Sequence, residues 1–228
     1  MSISKAESFI VNYGTEFKRC IDQLPVYQIA AVAEHLFDAY RQDKLVMILG
    51  NGGSAATASH LACDLGKTIL GNDPQSVNRR FRAMALTDNM PLMTAWANDV
   101  NYHTVFAEQM KPWVRRDDLV IAISASGNSA NVVEAVKAAR QMGAYTIGFL
   151  GFDGGKVAKL VDLPIVVRSD NYGYIEDLHM MFGHMVTAYI KNGLHARVEN
   201  GVAEKPGIFA LKPHIQSSFP EEISAAAD

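Results

Sequence analysis

The sequence predicts a doubly wound α/β fold, a parallel sheet with helices on both faces behind a helical N-terminal segment. Two observations carry this. Short, wholly apolar runs recur along the chain, as expected for strands buried on both faces of a parallel sheet. Segments with apolar residues three and four apart separate them, so strand and helix alternate.

Residues 1–43 read as two helices. Phe9, Ile10, Tyr13, Phe17, Cys20 and Ile21 share one helical face; Ile29, Val32, Ala33, Leu36, Phe37 and Tyr40 repeat the pattern after Pro25. The first strand is expected over 45–49, followed by Gly50-Asn51-Gly52-Gly53-Ser54 and a helix over 55–67. Further strands are expected over 83–86, 119–123, 146–150 and 164–167, with helices around 91–98, 103–113, 130–142 and 155–161. A final helix is expected over 175–192, where Leu178, Met181, Met185, Val186 and Tyr189 recur. Periodicity fades after Gly193, and Pro206, Pro213 and Pro220 mark an irregular tail. The chain thus divides into an N-terminal helical segment (1–43), an α/β domain with its final helix (44–192) and a tail (193–228).

Composition narrows the function. The chain of 228 residues carries a net charge of -3, which argues against a nucleic-acid binder relying on phosphate contacts. It leaves room for a small anionic substrate held by a few local donors. Two cysteines, Cys20 and Cys63, are too few for a secreted disulfide scaffold and read as small buried apolar residues. The opening MSISKAESFI lacks the basic and apolar regions of a signal peptide, and no apolar run approaches the length of a membrane span. A cytoplasmic protein is expected.

Two loops stand out. Gly50-Asn51-Gly52-Gly53-Ser54 and Ser124-Ala125-Ser126-Gly127-Asn128-Ser129 each follow an expected strand and open an expected helix. Glycine lets the backbone approach an anion, free N–H groups at the helix start point at it, and serine hydroxyls add donors. Read more plainly, the same Ser and Asn residues are helix caps and turn formers. The first loop also fits Gly-x-Gly-x-x-Ala through Gly50, Gly52 and Ala55, a dinucleotide-binding pattern. Asp88 lies well beyond the usual place of its acidic ribose partner, and that reading leaves the second loop unexplained.

Candidate proton-transfer groups fall in two clusters. His60 and Asp64, four apart, share one helix face. Glu176, Asp177, His179 and His184 lie on or near the final helix. His179 and His184 are about 140° apart around an ideal helix, so one subunit cannot aim both into one site. Each histidine taken alone could equally be a hydrogen-bonded, partly buried side chain.

The pair GNGGSA and SASGNS, with ALTDN…WANDVNY between them and GFDGGK after them, closely resembles the SIS domain of phosphoheptose isomerases. The similarity covers roughly residues 44–192, and the N-terminal helices fit as well. It implies a SIS-type, flavodoxin-like three-layer fold and an aldose–ketose isomerase acting on a sugar phosphate through an enediol. Sedoheptulose 7-phosphate is the expected substrate. Ser124, Ser126 and Ser129 would bind the phosphate, with Ala125 where the family often has threonine, and Asn128 of the same loop would contact the substrate. Asn51, Gly52, Gly53, Ser54, Asn98 and Asp99 would face the sugar; Asn98-Asp99 also reads simply as a helix stop. His60, Asp64, Glu176 and His184 would form the metal and catalytic centre, with Zn2+ or another divalent ion. Asp64 would be the base and His184 the acid. A homotetramer is implied.

Two positions depart from the family pattern. Asp64 replaces the usual glutamate and Glu176 the usual glutamine; the two changes compensate if the longer acid has moved across the site, which leaves Glu176 as an alternative base. Two imidazoles and two carboxylates suit zinc and tolerate other divalent ions. The competing reading is a non-catalytic SIS module that binds a sugar phosphate or another protein; Asp64 and His184, both retained, weigh against it.

Overall fold

The structure is a computed structural model that describes residues 4–71, 75 and 79–199, with side chains to residue 195. Two helices open it, α1 (Lys5–Asp22) and α2 (Val26–Arg41). They are followed by β1 (Val46–Gly50), α3 (Gly53–Gly66), β2 (Ala83–Ala85), α4 (Met90–Asp99) and α5 (Val105–Met110). Then come β3 (Leu119–Ser124), α6 (Ala130–Gln141), β4 (Tyr145–Gly151), α7 (Gly155–Ala158), β5 (Leu163–Val167) and α8 (Tyr172–Glu199).

All strands run parallel in the order β2-β1-β3-β4-β5. Alternate side chains of each strand enter different cores. Val46, Ile48, Ile121, Ile123, Ile147 and Phe149 join the core covered by α2, α3 and α8. Met47, Leu49, Val120, Ala122 and Leu150 join the core covered by α5, α6 and α7. This is the expected three-layer, doubly wound arrangement. The chain reverses direction in the sheet between β1 and β3, and at such a switch point the loops beyond the strands diverge and leave a crevice.

α8 buries Ile175, Leu178, Phe182, Val186, Ile190 and Leu194, an unbroken three- and four-residue spacing. It starts before and ends after the expected 175–192, running to Glu199. The expected irregular tail, with Pro206, Pro213 and Pro220, lies outside the described residues. The helix expected over 103–113 is instead a 3-10 turn (Tyr102–Thr104) leading into the shorter α5. The Asn101 side chain accepts from the Thr104 backbone N–H, and Pro112 cannot extend the helix. α1 has no fully buried residue; it rests on α8 through the Tyr13–Tyr174 ring contact and leaves Phe9, Ile10 and Val11 exposed.

The expected burial of both cysteines does not hold. Cys20 is half-buried, whereas Cys63 is exposed, because it occupies a position of α3 that faces a cavity beside β2 rather than either core. No helix among the described residues is long and apolar enough to cross a membrane.

Candidate active site

Both sequence-derived loops sit at the switch point, after β1 and after β3. In the first, Gly52 has φ 54 and ψ -124, a conformation that favours glycine, and begins α3 without a side-chain cap. In the second, Ser129 precedes α6, again with no side-chain cap. Two helix N-termini therefore keep N–H groups available beside one crevice, the arrangement that suits an anion.

The second loop is held from below. Gly127 donates to Ser124 Oγ at 3.2 Å and Asn128 N to Ser126 Oγ at 3.3 Å. The loop after β4 locks against it: Val157 N donates to the Gly127 carbonyl at 3.0 Å and Lys156 N to Asn128 Oδ1 at 3.1 Å. Asn128 Nδ2 donates to the Ser126 carbonyl at 2.9 Å. The Asn128 amide thus ties two loops together, and this contact accounts for an asparagine there. Gly127, at φ +60, has the Gly154 carbonyl 2.0 Å from where a Cβ would stand, so no other residue fits.

The first loop is joined to α6. Asn51 and Asn131 exchange amide hydrogen bonds of 2.9 and 2.8 Å, and Tyr102 donates to Asn51 Oδ1 at 3.0 Å. Sequence reasoning missed Asn131 and Tyr102. Asn98 and Asp99 are exposed at the end of α4, where Asn98 Nδ2 donates to Asp99 Oδ1 at 2.8 Å. From that stretch it is Tyr102, in the following turn, that reaches the first loop.

α3 and α8 run side by side in the same direction, since Glu176 lies over Gly53 and Gly183 against Leu61. This brings the side chains of His60 and His184 together, Nε2 to Nε2 at 3.0 Å, with the rings edge-on. Asp64 Oδ2 lies 3.5 Å from His60 Nε2, and Asp64 Oδ1 accepts from Thr68 Oγ1 at 2.8 Å. One ligand atom from each of His60, Asp64 and His184 falls within 4.8 Å of the others. Ligand atoms around a tetrahedral zinc stand about 3.3 Å apart, so this donor set fits a zinc-like ion. The Thr68 hydroxyl orients the carboxylate from behind. Glu176, expected as a fourth ligand, is outside this cluster: its carboxylate packs at the first turn of α3, where a Cβ on Gly53 would meet Oε2 at 2.5 Å. The helical rise between residues 176 and 184, about 12 Å, separates the two positions.

His179 has a different part. It is fully buried, and its Nε2 bonds to the Leu150 carbonyl at 3.0 Å. Burial pushes its pKa down to about 4, so it is a neutral core residue. Asp88 is engaged by the Ser59 hydroxyl and Thr87, which leaves the dinucleotide reading without its ribose partner. Arg79 donates to the Tyr40 and Arg41 carbonyls at the end of α2, and Arg82 to the Asp43 carbonyl, so both brace the chain leaving that helix. A cavity of ≈ 620 Å³ lies beside β2, lined by Ser59, Cys63, Met84, Asp88, Leu92 and Trp113 among others; neither loop lines it.

A parallel sheet in the order β2-β1-β3-β4-β5, with glycine- and serine-rich loops opening helices after β1 and β3, is a flavodoxin-like doubly wound α/β domain. The family model of the SIS domain matches residues 12–151. The chain belongs to the SIS-domain family, and within it to the phosphoheptose isomerases. It is 35% identical to the phosphoheptose isomerase of Clostridium acetobutylicum over 74% of this chain and 84% of the relative. Identity to the phosphoheptose isomerase of Aliarcobacter butzleri is 40%, over 65% of this chain and 76% of the relative. Among solved structures, the phosphoheptose isomerase of Neisseria gonorrhoeae superposes with a TM-score of 0.75 at 29% identity, covering 82% of this chain and 100% of that one.

Proposed function

We propose that this chain is an aldose–ketose isomerase that converts sedoheptulose 7-phosphate to D-glycero-D-manno-heptose 7-phosphate through an enediol. The observation that carries the reading is the His60–Asp64–His184 cluster, assembled from α3 and α8. Ser124, Ser126 and Ser129, with the N-terminus of α6, hold the phosphate. Asn51, Gly52, Gly53, Ser54, Asn98 and Asp99 face the sugar. The names of the similar proteins support the substrate class.

The chemistry follows from the groups present. Asp64 removes a proton from C1 of the ketose, and the C–H electrons form the C1–C2 double bond. His184 gives a proton to the C2 oxygen, completing the enediol. Return of a proton to C2 and loss of one from the C1 hydroxyl yield the aldose. His60, Asp64 and His184 would hold Zn2+ or another divalent ion, which would polarise the substrate oxygens; Glu176, at the first turn of α3, stands apart from that donor set. A second assignment rests on Glu176 lying outside the cluster, against the first loop: Glu176, not Asp64, takes the carbon-bound proton. Glu176→Gln separates the two, retaining much activity in the first case and abolishing it in the second.

In this reading α1 serves assembly into a homotetramer, α2 and residues 44–199 form the catalytic domain, and the enzyme works in the cytoplasm. The exposed Phe9, Ile10 and Val11 of α1, with Val26 and Tyr27, support assembly. The test is a panel of ketose phosphates offered to the purified protein with and without added zinc, followed by NMR. Aldose formation from the heptulose phosphate is expected; its absence under both conditions overturns the proposal.

A further inference from the structure

Asn51 was read as a residue facing the sugar, but an amide can present either a donor or an acceptor. The surrounding bonds decide which. The backbone N–H of Val132 can only donate, and it points at the Asn131 side chain at 3.0 Å, so the atom it meets is Oδ1. That orients the Asn131 amide, and its Nδ2 must then face Asn51. The Asn51 atom meeting it, at 2.8 Å, is therefore an acceptor, Oδ1. Asn51 Nδ2 donates back to Asn131 Oδ1 at 2.9 Å. The second acceptor position of Asn51 Oδ1 is taken by the Tyr102 hydroxyl at 3.0 Å. Both lone pairs of Asn51 are used inside the protein, while one Nδ2–H makes no hydrogen bond among the described residues.

Asn131 is 2% exposed while Asn51 is half-buried, so the Asn131 end of the pair is shielded from water and a lost partner there is costly to replace. Its place near the start of α6, the helix behind the second loop, means that the orientation of Asn51 is dictated by the element that carries the serine loop. Tyr102 adds the turn after Asn98 and Asp99. Three segments of the chain thus converge on one amide.

We infer that Asn131 is a positioning residue that holds Asn51 as a hydrogen-bond donor toward a sugar oxygen, with Tyr102 fixing the same amide from the other side. The inference rests on the isomerase reading for its substrate but on the hydrogen-bond chain for its geometry. A donor at Asn51 suits an oxygen that gains negative charge as the enediol forms.

The test is a double-mutant cycle on kcat/KM for the ketose phosphate. Asn131→Ala should lower kcat/KM roughly 10- to 100-fold in the otherwise unmutated protein, the scale of a misplaced reacting group. In an Asn51→Ala background the same change should cost less than about threefold, because its effect runs through Asn51. Competitive inhibition by inorganic phosphate, held by the serine loop and the N-terminus of α6 and not by Asn51 or Tyr102, should stay constant in Asn51→Ala and Tyr102→Phe. Equal losses in both backgrounds overturn the inference. Should Asn131→Ala fail to fold, Tyr102→Phe replaces it in the cycle, since that side chain is exposed and loses only the hydroxyl; additive losses there overturn the inference too. An unmutated protein with no turnover refutes the isomerase reading alone. The same cycle, read as ketose-phosphate binding by calorimetry, then decides the role of Asn131.

Discussion

Gly53→Ala should uncouple stability from activity. A methyl group at residue 53 would stand 2.5 Å from Glu176 Oε2, 2.8 Å from its Cδ and 2.9 Å from Oε1. Ordinary contact begins near 3.4 Å, so the carboxylate must retreat by roughly 0.9 Å. The three nearest atoms all belong to the end of one flexible side chain, which can rotate away without disturbing the backbone. Alanine in place of glycine in a helix offers up to about 1 kcal/mol in return. The net change in unfolding free energy should therefore stay within about 1 kcal/mol, measured by urea denaturation. A displacement near 1 Å of a group that acts on the substrate can cost up to about 100-fold in rate. A fall in kcat/KM of roughly 10- to 100-fold is expected, with the denaturation midpoint close to that of the unmutated protein. In a Glu176→Ala background the methyl group meets none of these atoms, so the part of the loss that runs through Glu176 should disappear. An equal loss of activity in both backgrounds would refute the argument, since the effect could not then run through Glu176.

Three further outcomes are expected. Ser126→Ala and Ser129→Ala should each weaken binding of a phosphorylated ketose by about 1.5–3 kcal/mol by calorimetry and leave the unphosphorylated sugar unaffected; equal binding of the two sugars by the unmutated protein contradicts this. Gly127→Ala, unlike Gly53→Ala, meets a backbone carbonyl and a positive φ together, so it should destabilise the fold by about 2 kcal/mol or more, read from the denaturation midpoint. His179, with its pKa lowered to about 4 in the folded state, takes up protons on unfolding between that value and its ordinary range. Its contribution, about 3 kcal/mol, is therefore present above about pH 6.5 and lost as pH falls toward 4. Denaturation across pH 7.5 to 4.5 should show this loss, and His179→Gln should flatten it.

The strands were legible because residues such as Val46 and Met47 are buried on opposite faces, which leaves no polar interruption in the run. The loops were legible because glycine and serine between a strand and a helix have few other reasons to cluster. The separation of His179 from His184 also followed from helix geometry: their angular offset sends one into the core and the other to His60. Asn131 and Tyr102 were not legible. An asparagine near the start of a helix looks like an ordinary terminal residue, and nothing local shows that it meets Asn51, which pairs with it only when β1 and β3 lie side by side. Nor did spacing show that the Glu176 carboxylate rests against Gly53 rather than beside His184, because that depends on how α8 lies along α3. Cys63 was misjudged because residue type suggests burial but does not show what the neighbouring elements leave open.

The proton transfer itself is most directly tested by deuterium incorporation. The ketose phosphate is incubated with the protein in deuterated water, and NMR follows the label at C1 and C2. The unmutated protein should exchange these positions as it forms the aldose. His184→Ala and Asp64→Asn should each lose most of that exchange, typically about 100- to 10,000-fold for a positioned acid or base, with the fold and assembly retained. Glu176→Gln should keep it if Asp64 is the base and lose it if Glu176 is. Full exchange in all three variants would contradict the account, because no residue of the α3–α8 cluster could then be moving the proton.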